Sequence, residues 1–386
     1  MGTKTSPRPR GRSLDELLAP VEESIEVNFF APLAGPERTH EPGAKVAPLP
    51  WVPMAVIISL TGLLLGVFLA TLLWPMVDPV NRPPPQNYYP GADVTGLVVT
   101  LTLFCLLAWS YLAVALTDPG RVPRIWPWDP KQPDPRPDAD LSLLEHASVS
   151  TPLTTRVRGL ERKLDGRTRF CKKCRLYKPD RTHHCKKLGR CVLEMDHWCP
   201  WVRNTVGYRN RKYFFLAVTY GWMTLFAYCV VLGPYLRTAS GLQSVLDYFI
   251  IFCYILAVLE CGLLLALWTF HIFLTVHAFT TIEFREKHLA KETKVARSGD
   301  KLRELYKQSL YDLGVYQSFK HLLGPNVLLW WIPTRYGMPN DINAGAVYKV
   351  REDHPLVQLA ATGKKGLNTY PEKPLNSESM YAVENT

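Results

Sequence analysis

Apolar residues along this chain gather into four runs, and charges are almost confined to the segments between and outside them. Met54–Trp74 gives 21 residues without a charge, Val94–Thr117 gives 24, and Tyr213–Leu236 another 24. The fourth run, Tyr248–Ile282, extends over 35 residues and is interrupted only by Glu260, His271 and His277. A helix needs about 20 such residues to cross the apolar core of a bilayer. One run of this kind suits a buried core helix, but four together predict an all-α polytopic membrane protein with four transmembrane helices. The fourth run exceeds a bilayer, so its helix is expected to continue into the aqueous phase.

Charge sets the expected orientation. The 386 residues carry a net charge of +11, yet the mean hydropathy of −0.04 averages two unlike populations. The segment 118–212 holds 22 Lys and Arg against 11 Asp and Glu, whereas the connecting segments 75–93 and 237–247 hold one basic residue each, Arg82 and Arg237. Positive charge marks the cytosolic side. The long loop and, with an even number of spans, both termini are therefore expected in the cytosol. The expected organisation is a disordered tail over 1–45, helices one and two within 46–117, and a cytosolic Cys-rich domain over 118–212. Helices three and four follow within 213–282, then a membrane-associated segment over 283–335 and a second disordered tail over 336–386. The Pro-rich stretch 125–155 reads as a linker. No cleavable signal peptide is expected. Met1-Gly2-Thr3-Lys4-Thr5-Ser6 fits a myristoylation pattern, which in a multi-pass protein positions the tail rather than anchoring the chain.

Of nine cysteines, five lie within Cys171–Cys199, a clustering that favours metal or thiol chemistry in a reducing compartment over disulfides. Cys171 and Cys174 form a C-x2-C pair, followed by His183, His184, Cys185, Cys191, His197 and Cys199. Two thiolates on a tight knuckle leave two tetrahedral positions for later ligands, and the bare count allows two zinc ions. Asp196, His197 and Cys199 also suit a second role. A cysteine attacks as thiolate, an imidazole can take its proton, and a carboxylate can orient that imidazole. Spacing leaves both readings of His197 and Cys199 open.

The order of these features resembles the DHHC-type protein S-acyltransferases, here with the divergent signature Asp196-His197-Trp198-Cys199. The resemblance runs from about residue 50 to about 335. It includes Asp118-Pro119-Gly120, the run Pro200-Trp201-Val202-Arg203-Asn204 with Val206-Gly207 and Asn210, Thr280-Thr281-Ile282-Glu283, and Tyr311-Asp312-Leu313-Gly314. It implies an enzyme that takes a fatty acyl group from palmitoyl-CoA or a similar acyl-CoA. The group passes to Cys199 and then to a membrane-proximal cysteine of a protein substrate, within a cavity between the four helices. His197 is then the base, Asp196 its orienter and Thr281 a supporting hydrogen bond to Asp196. Lys178 and Arg181 match positions that meet the phosphates of coenzyme A, with Trp201 also on the substrate side.

The implied zinc ligands are Cys171, Cys174, His184 and Cys191. A second implied site falls on Cys185, Leu188, Trp198 and Thr205, where three of four ligands are missing, so one structural zinc is expected. Ser318 stands where the family has Asn. The resemblance also implies residence in an endomembrane (Golgi or ER) or the plasma membrane, with the lipid bilayer as a partner and no nucleic acid. Two other classes compete: an inactive zinc-knuckle adaptor, and a transporter suggested by the intramembrane Glu260.

Overall fold

The computed structural model describes residues 51–77, 90–124, 128, 131, 169–238, 245–289 and 308–336, and eight further positions between 338 and 354. The expected tail 1–45, Gly2 and most of 125–155 lie outside them. Among the described residues four helices are long and apolar enough to cross a membrane: α1 (Val52–Val77), α2 (Pro90–Leu116), α3 (Arg211–Thr238) and α4 (Val245–Val276). α3 is central, packed along both α2 and α4. Leu64, Phe68 and Leu72 recur every fourth residue and so share one face of α1, which buries against Tyr228 and Leu232 of α3 and Cys253 and Ala257 of α4. The opposite surfaces stay apolar: Val98, Leu112, Phe226, Leu259 and Leu263 are exposed, as lipid-facing positions are. Several hydroxyls in the helices are satisfied locally, Ser110, Thr219, Thr224 and Thr275 each donating to the carbonyl four residues back.

The Cys-rich segment corrects the all-α expectation. It forms three two-stranded antiparallel hairpins: β1 (Phe170–Cys171) with β2 (Leu176–Tyr177), β3 (His183–Cys185) with β4 (Arg190–Val192), and β5 (His197–Cys199) with β6 (Asn204–Val206). Strands this short cannot stand alone, and side chains tie them to the helix ends. Asn204 Nδ2 donates to the carbonyls of Val114, Ala115 and Thr117 at 2.8–3.2 Å, and Asn210 Nδ2 also reaches Val114 and Thr117. The last turn of α2, whose carbonyls lack helical partners, is thus closed by the third hairpin. Asp118 holds the second, accepting from Arg190 Nη2 at 2.7 Å. Gly207 fits because a Cβ there would come within 2.8 Å of the Pro119 carbonyl oxygen.

The fourth apolar run does not form one helix to Ile282. α4 stops at Val276, Ala278 takes a left-handed φ of 51°, and a short helix α5 (Thr281–Phe284) begins under a reciprocal Thr280–Glu283 capping box. The carbonyls freed by this reversal are taken up by buried cations. Ala278 accepts from Arg181 Nη2 at 3.0 Å, and Phe279 accepts from Arg211 Nη2 at 2.8 Å.

Those cations belong to a buried quartet. Arg181 is bidentate to Glu283 at 2.8 and 2.9 Å and lies 3.3 Å from Glu194, which also accepts from Arg211 at 2.5 Å. Two further segments close on Glu194. His321, on the amphipathic helix α6 (Val315–Leu323), reaches it at 2.8 Å, and the Tyr348 hydroxyl at 3.4 Å. Within the stretch 336–386, Ala346, Tyr348 and His354 are buried. Gly345 lies so close to Tyr208 that a Cβ would sit 2.5 Å from its ring.

Burial alone would raise the Glu194 pKa, but His321, Arg181 and Arg211 outweigh it and hold the carboxyl well below the usual range. A depressed carboxylate adds stability that is present above its unfolded value near ~4.3 and lost as pH falls through the folded value. The quartet is thus fully charged at neutral pH. Removing one partner of a buried ion pair costs roughly 3–5 kcal/mol. Glu194→Ala should consequently lower the unfolding temperature of the detergent-solubilised protein, whereas Lys186→Ala, at an exposed position, should not; thermal unfolding of the purified variants measures both.

Candidate active site

The third hairpin carries Asp196, His197 and Cys199 to the ends of α2, α3 and α4. Asp196 leads into β5, its backbone N–H bonded to the Val206 carbonyl at 2.9 Å. The pairing of Cys199 with Asn204 fixes the thiol on the strand that Asn204 bolts to α2. Cys199 packs among Val114, Val202, Val206, Phe214 and Val218. His197 Nδ1 lies 2.7 Å from Asp196 Oδ2, and the imidazole also hydrogen-bonds to Cys199. Asp196, with no exposed surface, is held from the far side as well: the Thr281 backbone N–H donates to Oδ1 at 2.9 Å and the Thr281 hydroxyl to Oδ2 at 2.6 Å. The reversal after α4 is what brings Thr281 there.

The electrostatics follow from this geometry. Burial would raise the Asp196 pKa, but the hydrogen bond and charge of His197, with Arg211 behind them, hold it well below the usual range. Burial opposes charge on His197 too, yet the bonds to Asp196 and Cys199 outweigh it and push the imidazole up to about 9.

Beneath this trio lies a ligand cluster. The donor atoms of Cys171, Cys174, His184 and Cys191 all fall within 4.8 Å of one another, and His184 Nδ1 stands 3.5 Å from Cys171 Sγ and 3.3 Å from Cys174 Sγ. Zinc bonds of ~2.0–2.3 Å place tetrahedral donors ~3.3–3.8 Å apart, so three sulfurs and one imidazole nitrogen fit that ion. β1–β2 supplies the knuckle, and the pairing of His184 with Cys191 supplies the other two donors from β3–β4.

The four positions of the second implied site also converge, but as a packed cluster. Cys185 lies 3.1 Å from the Thr205 hydroxyl, Trp198 pairs with Thr205, and Leu188, Trp198 and Ile282 pack around Cys185, Val192 and Met195. One thiol and one hydroxyl among apolar side chains do not fit a metal.

Of the residues singled out for the acyl donor, Arg181 needs correction. It is only 3% exposed and committed to Glu283, Glu194 and the Ala278 carbonyl, with the Tyr311 ring 4.8 Å from its guanidinium. A guanidinium so engaged does not meet phosphates; it is part of the frame. Lys178 is half-buried, its backbone N–H bonded to the Arg169 carbonyl. Trp201 is exposed next to Cys199, its carbonyl accepting from the Tyr111 hydroxyl at 2.9 Å. Glu194 and Arg211 went unnoticed in the sequence. The one available signal was an acid two residues before Asp196 in a strongly basic loop.

Comparison with known proteins agrees with this arrangement. The DHHC palmitoyltransferase family model matches residues 165–288. Probable protein S-acyltransferase 15 of Arabidopsis thaliana is 34% identical over 251 residues, which is 62% of this chain and 85% of that protein. Palmitoyltransferase ZDHHC15 of Xenopus laevis is 30% identical over 74% of this chain and 78% of its own length. Palmitoyltransferase ZDHHC20-B of Danio rerio is 31% identical over 61% and 70%. The matched stretch holds both the ligand cluster and the Asp196-His197-Cys199 trio, and relatives align along most of their own length. The chain belongs to the DHHC palmitoyltransferase family.

Proposed function

We propose that this membrane-embedded S-acyltransferase works through Cys199 as nucleophile, His197 as base and Asp196 as its orienter, taking a fatty acyl group from an acyl-coenzyme A. The observation that carries the reading is the chain of short hydrogen bonds from Thr281 through Asp196 to His197, with Cys199 as the imidazole's other polar partner. Cys199 gives its proton to His197 and attacks the thioester carbonyl. The carbon–sulfur bond to coenzyme A breaks, and the leaving sulfur takes the proton back from His197. A substrate cysteine then loses its proton to the freed imidazole and attacks the acyl-enzyme, and Cys199 leaves. Exchange of one thioester for another is nearly isoenergetic, so the protein has only to activate and position.

The donor is palmitoyl-CoA or a similar acyl-CoA, with Lys178 and Trp201 on its side of the site, and the acceptor is a membrane-proximal cysteine of a protein. The reading puts the site and both termini on the cytosolic side of an endomembrane or the plasma membrane, and the excess of Lys and Arg in 118–212 supports that side. Cys171, Cys174, His184 and Cys191 hold one structural zinc, which joins two hairpins and takes no part in the transfer.

Three outcomes follow. Cys199→Ser should lose a hydroxylamine-labile acyl group that the parent protein acquires from labelled palmitoyl-CoA; label undiminished in the variant places the chemistry elsewhere. His197→Ala should slow acylation by ~10²–10⁴-fold at neutral pH, retain zinc, and recover in part at alkaline pH, where hydroxide supplies the thiolate. Lost zinc without alkaline rescue would make His197 a ligand instead. Elemental analysis should find one zinc per chain, and Cys171→Ala or Cys191→Ala should lower folded yield more than Cys185→Ala. Two zincs would overturn this assignment.

A further inference from the structure

His271 lies in α4, five residues before its end, hence about 7–8 Å inside the helix terminus at a rise of 1.5 Å per residue. It is 7% exposed, on a helix whose other residues are almost all apolar. A titratable side chain inside a span needs a reason. Its ring lies against Phe214 at 5.0 Å between centres and 6.2 Å from the ring of His197; Phe214 in turn touches His197 at 5.0 Å. The three rings form a triangle on the membrane side of the trio, and Phe214 packs in the same cluster as Cys199. Asp196, His197 and Arg211 are the charged groups that face it.

Apart from the Tyr213 hydroxyl, the polar side chains named around Cys199 are committed. His197 is held by Asp196, the Tyr111 hydroxyl donates to the Trp201 carbonyl, and the Trp268 ring N–H donates to Thr219 at 3.0 Å. Asn204 and Asn210 spend their N–H groups on carbonyls at the end of α2 and of Thr205. The His271 ring nitrogens, by contrast, make no hydrogen bond to a described residue. His271 thus shares Phe214 with both His197 and the Cys199 cluster, which sets its ring beside the place where an acyl carbonyl must lie to meet the thiol.

We propose that His271 is a further catalytic group, an imidazole N–H that donates to the carbonyl oxygen of the acyl donor as Cys199 attacks it. The new bond runs from Cys199 sulfur to the carbonyl carbon, and the carbonyl π pair moves to oxygen, where His271 receives it. The pair then returns as the carbon–sulfur bond to coenzyme A breaks and the leaving sulfur takes its proton from His197. A preorganised donor in a site without water is worth ~10²–10³-fold in rate. The inference rests on the function proposed above.

The test uses the purified full-length protein and labelled palmitoyl-CoA, with Cys199 alkylation by iodoacetamide across neutral to alkaline pH as a readout that involves no carbonyl. His271→Phe, which keeps an aromatic ring against Phe214, should cut single-turnover acylation by ~10²–10³-fold and leave the alkylation profile unmoved. His271→Gln, which restores an N–H, should recover part of the rate. Tyr213→Phe, which removes another hydroxyl beside the Cys199 cluster, should have little effect. Acylation at the parent rate in His271→Phe overturns the proposal. So does an alkylation profile that shifts with the acylation loss, since His271 would then act only through His197. Should the Phe variant fail to fold, His271→Gln against His271→Leu carries the same comparison. A parent protein that acquires no acyl group at Cys199 fails the proposed function itself, a distinct result.

Discussion

The structure depends on a pair of arginines and a pair of glutamates buried together. Arg181 and Glu194 come from the Cys-rich segment, Arg211 from the first residue of α3, and Glu283 from the short helix after α4. Isolated, any of these charges would cost several kcal/mol to bury. Together they are balanced, and each arginine has donors left over for the carbonyls of the turn at Ala278 and Phe279. The quartet therefore fixes where the chain goes after it leaves the bilayer. It must reverse, and the reversal lays Thr281 on Asp196. The supporting hydrogen bond to the trio is a consequence of the ion-pair geometry as much as of the threonine.

Around that frame, the first two hairpins and the third are held by different means. The first two share a metal-type donor set, which links segments too short to bury a core. The third is fixed by apolar packing of Trp198, Leu188 and Ile282 around Cys185, and by Asn204 at the end of α2. Where a second metal site is implied by resemblance, this chain has replaced coordination by contact area. The exchange leaves the trio untouched because Trp198 points to the face of β5 opposite to its neighbours: along a strand, His197 and Cys199 share one side and Trp198 the other.

This explains what the sequence disclosed and what it did not. The spans were legible because twenty uncharged residues admit few alternatives in water or lipid. Cys171, Cys174, His184 and Cys191 were legible as ligand types, although only the pairing of His184 with Cys191 selects them over His183 and His197. The strands were not legible, since two or three residues cannot display an alternating pattern. Arg181 was misread because a basic residue in a basic loop looks like a surface charge; its acidic partner is 102 positions away, and nothing local marks it. The end of α4 was hidden by the apolar residues that continue through the turn. Tyr348 was hidden by a tail without period.

The charge on the trio bears on how such a site works beside a bilayer. In the proposed cycle the trio starts with a carboxylate and one proton between His197 and Cys199, a net charge of −1 wherever that proton sits. After acylation the cysteine is a neutral thioester and that proton has passed by way of the imidazole to coenzyme A, and the net charge is again −1. Asp196 stays ionised throughout, held well below the usual carboxylate range by His197 and Arg211 against its burial. A low-dielectric site strengthens every uncompensated charge, so a step that changed the total would be resisted by the whole surroundings. Moving one proton and one bond at constant charge avoids that resistance. The base must then be an imidazole whose proton is held tightly enough to balance the thiolate, which is the condition that the bonds of His197 to Asp196 and Cys199 create.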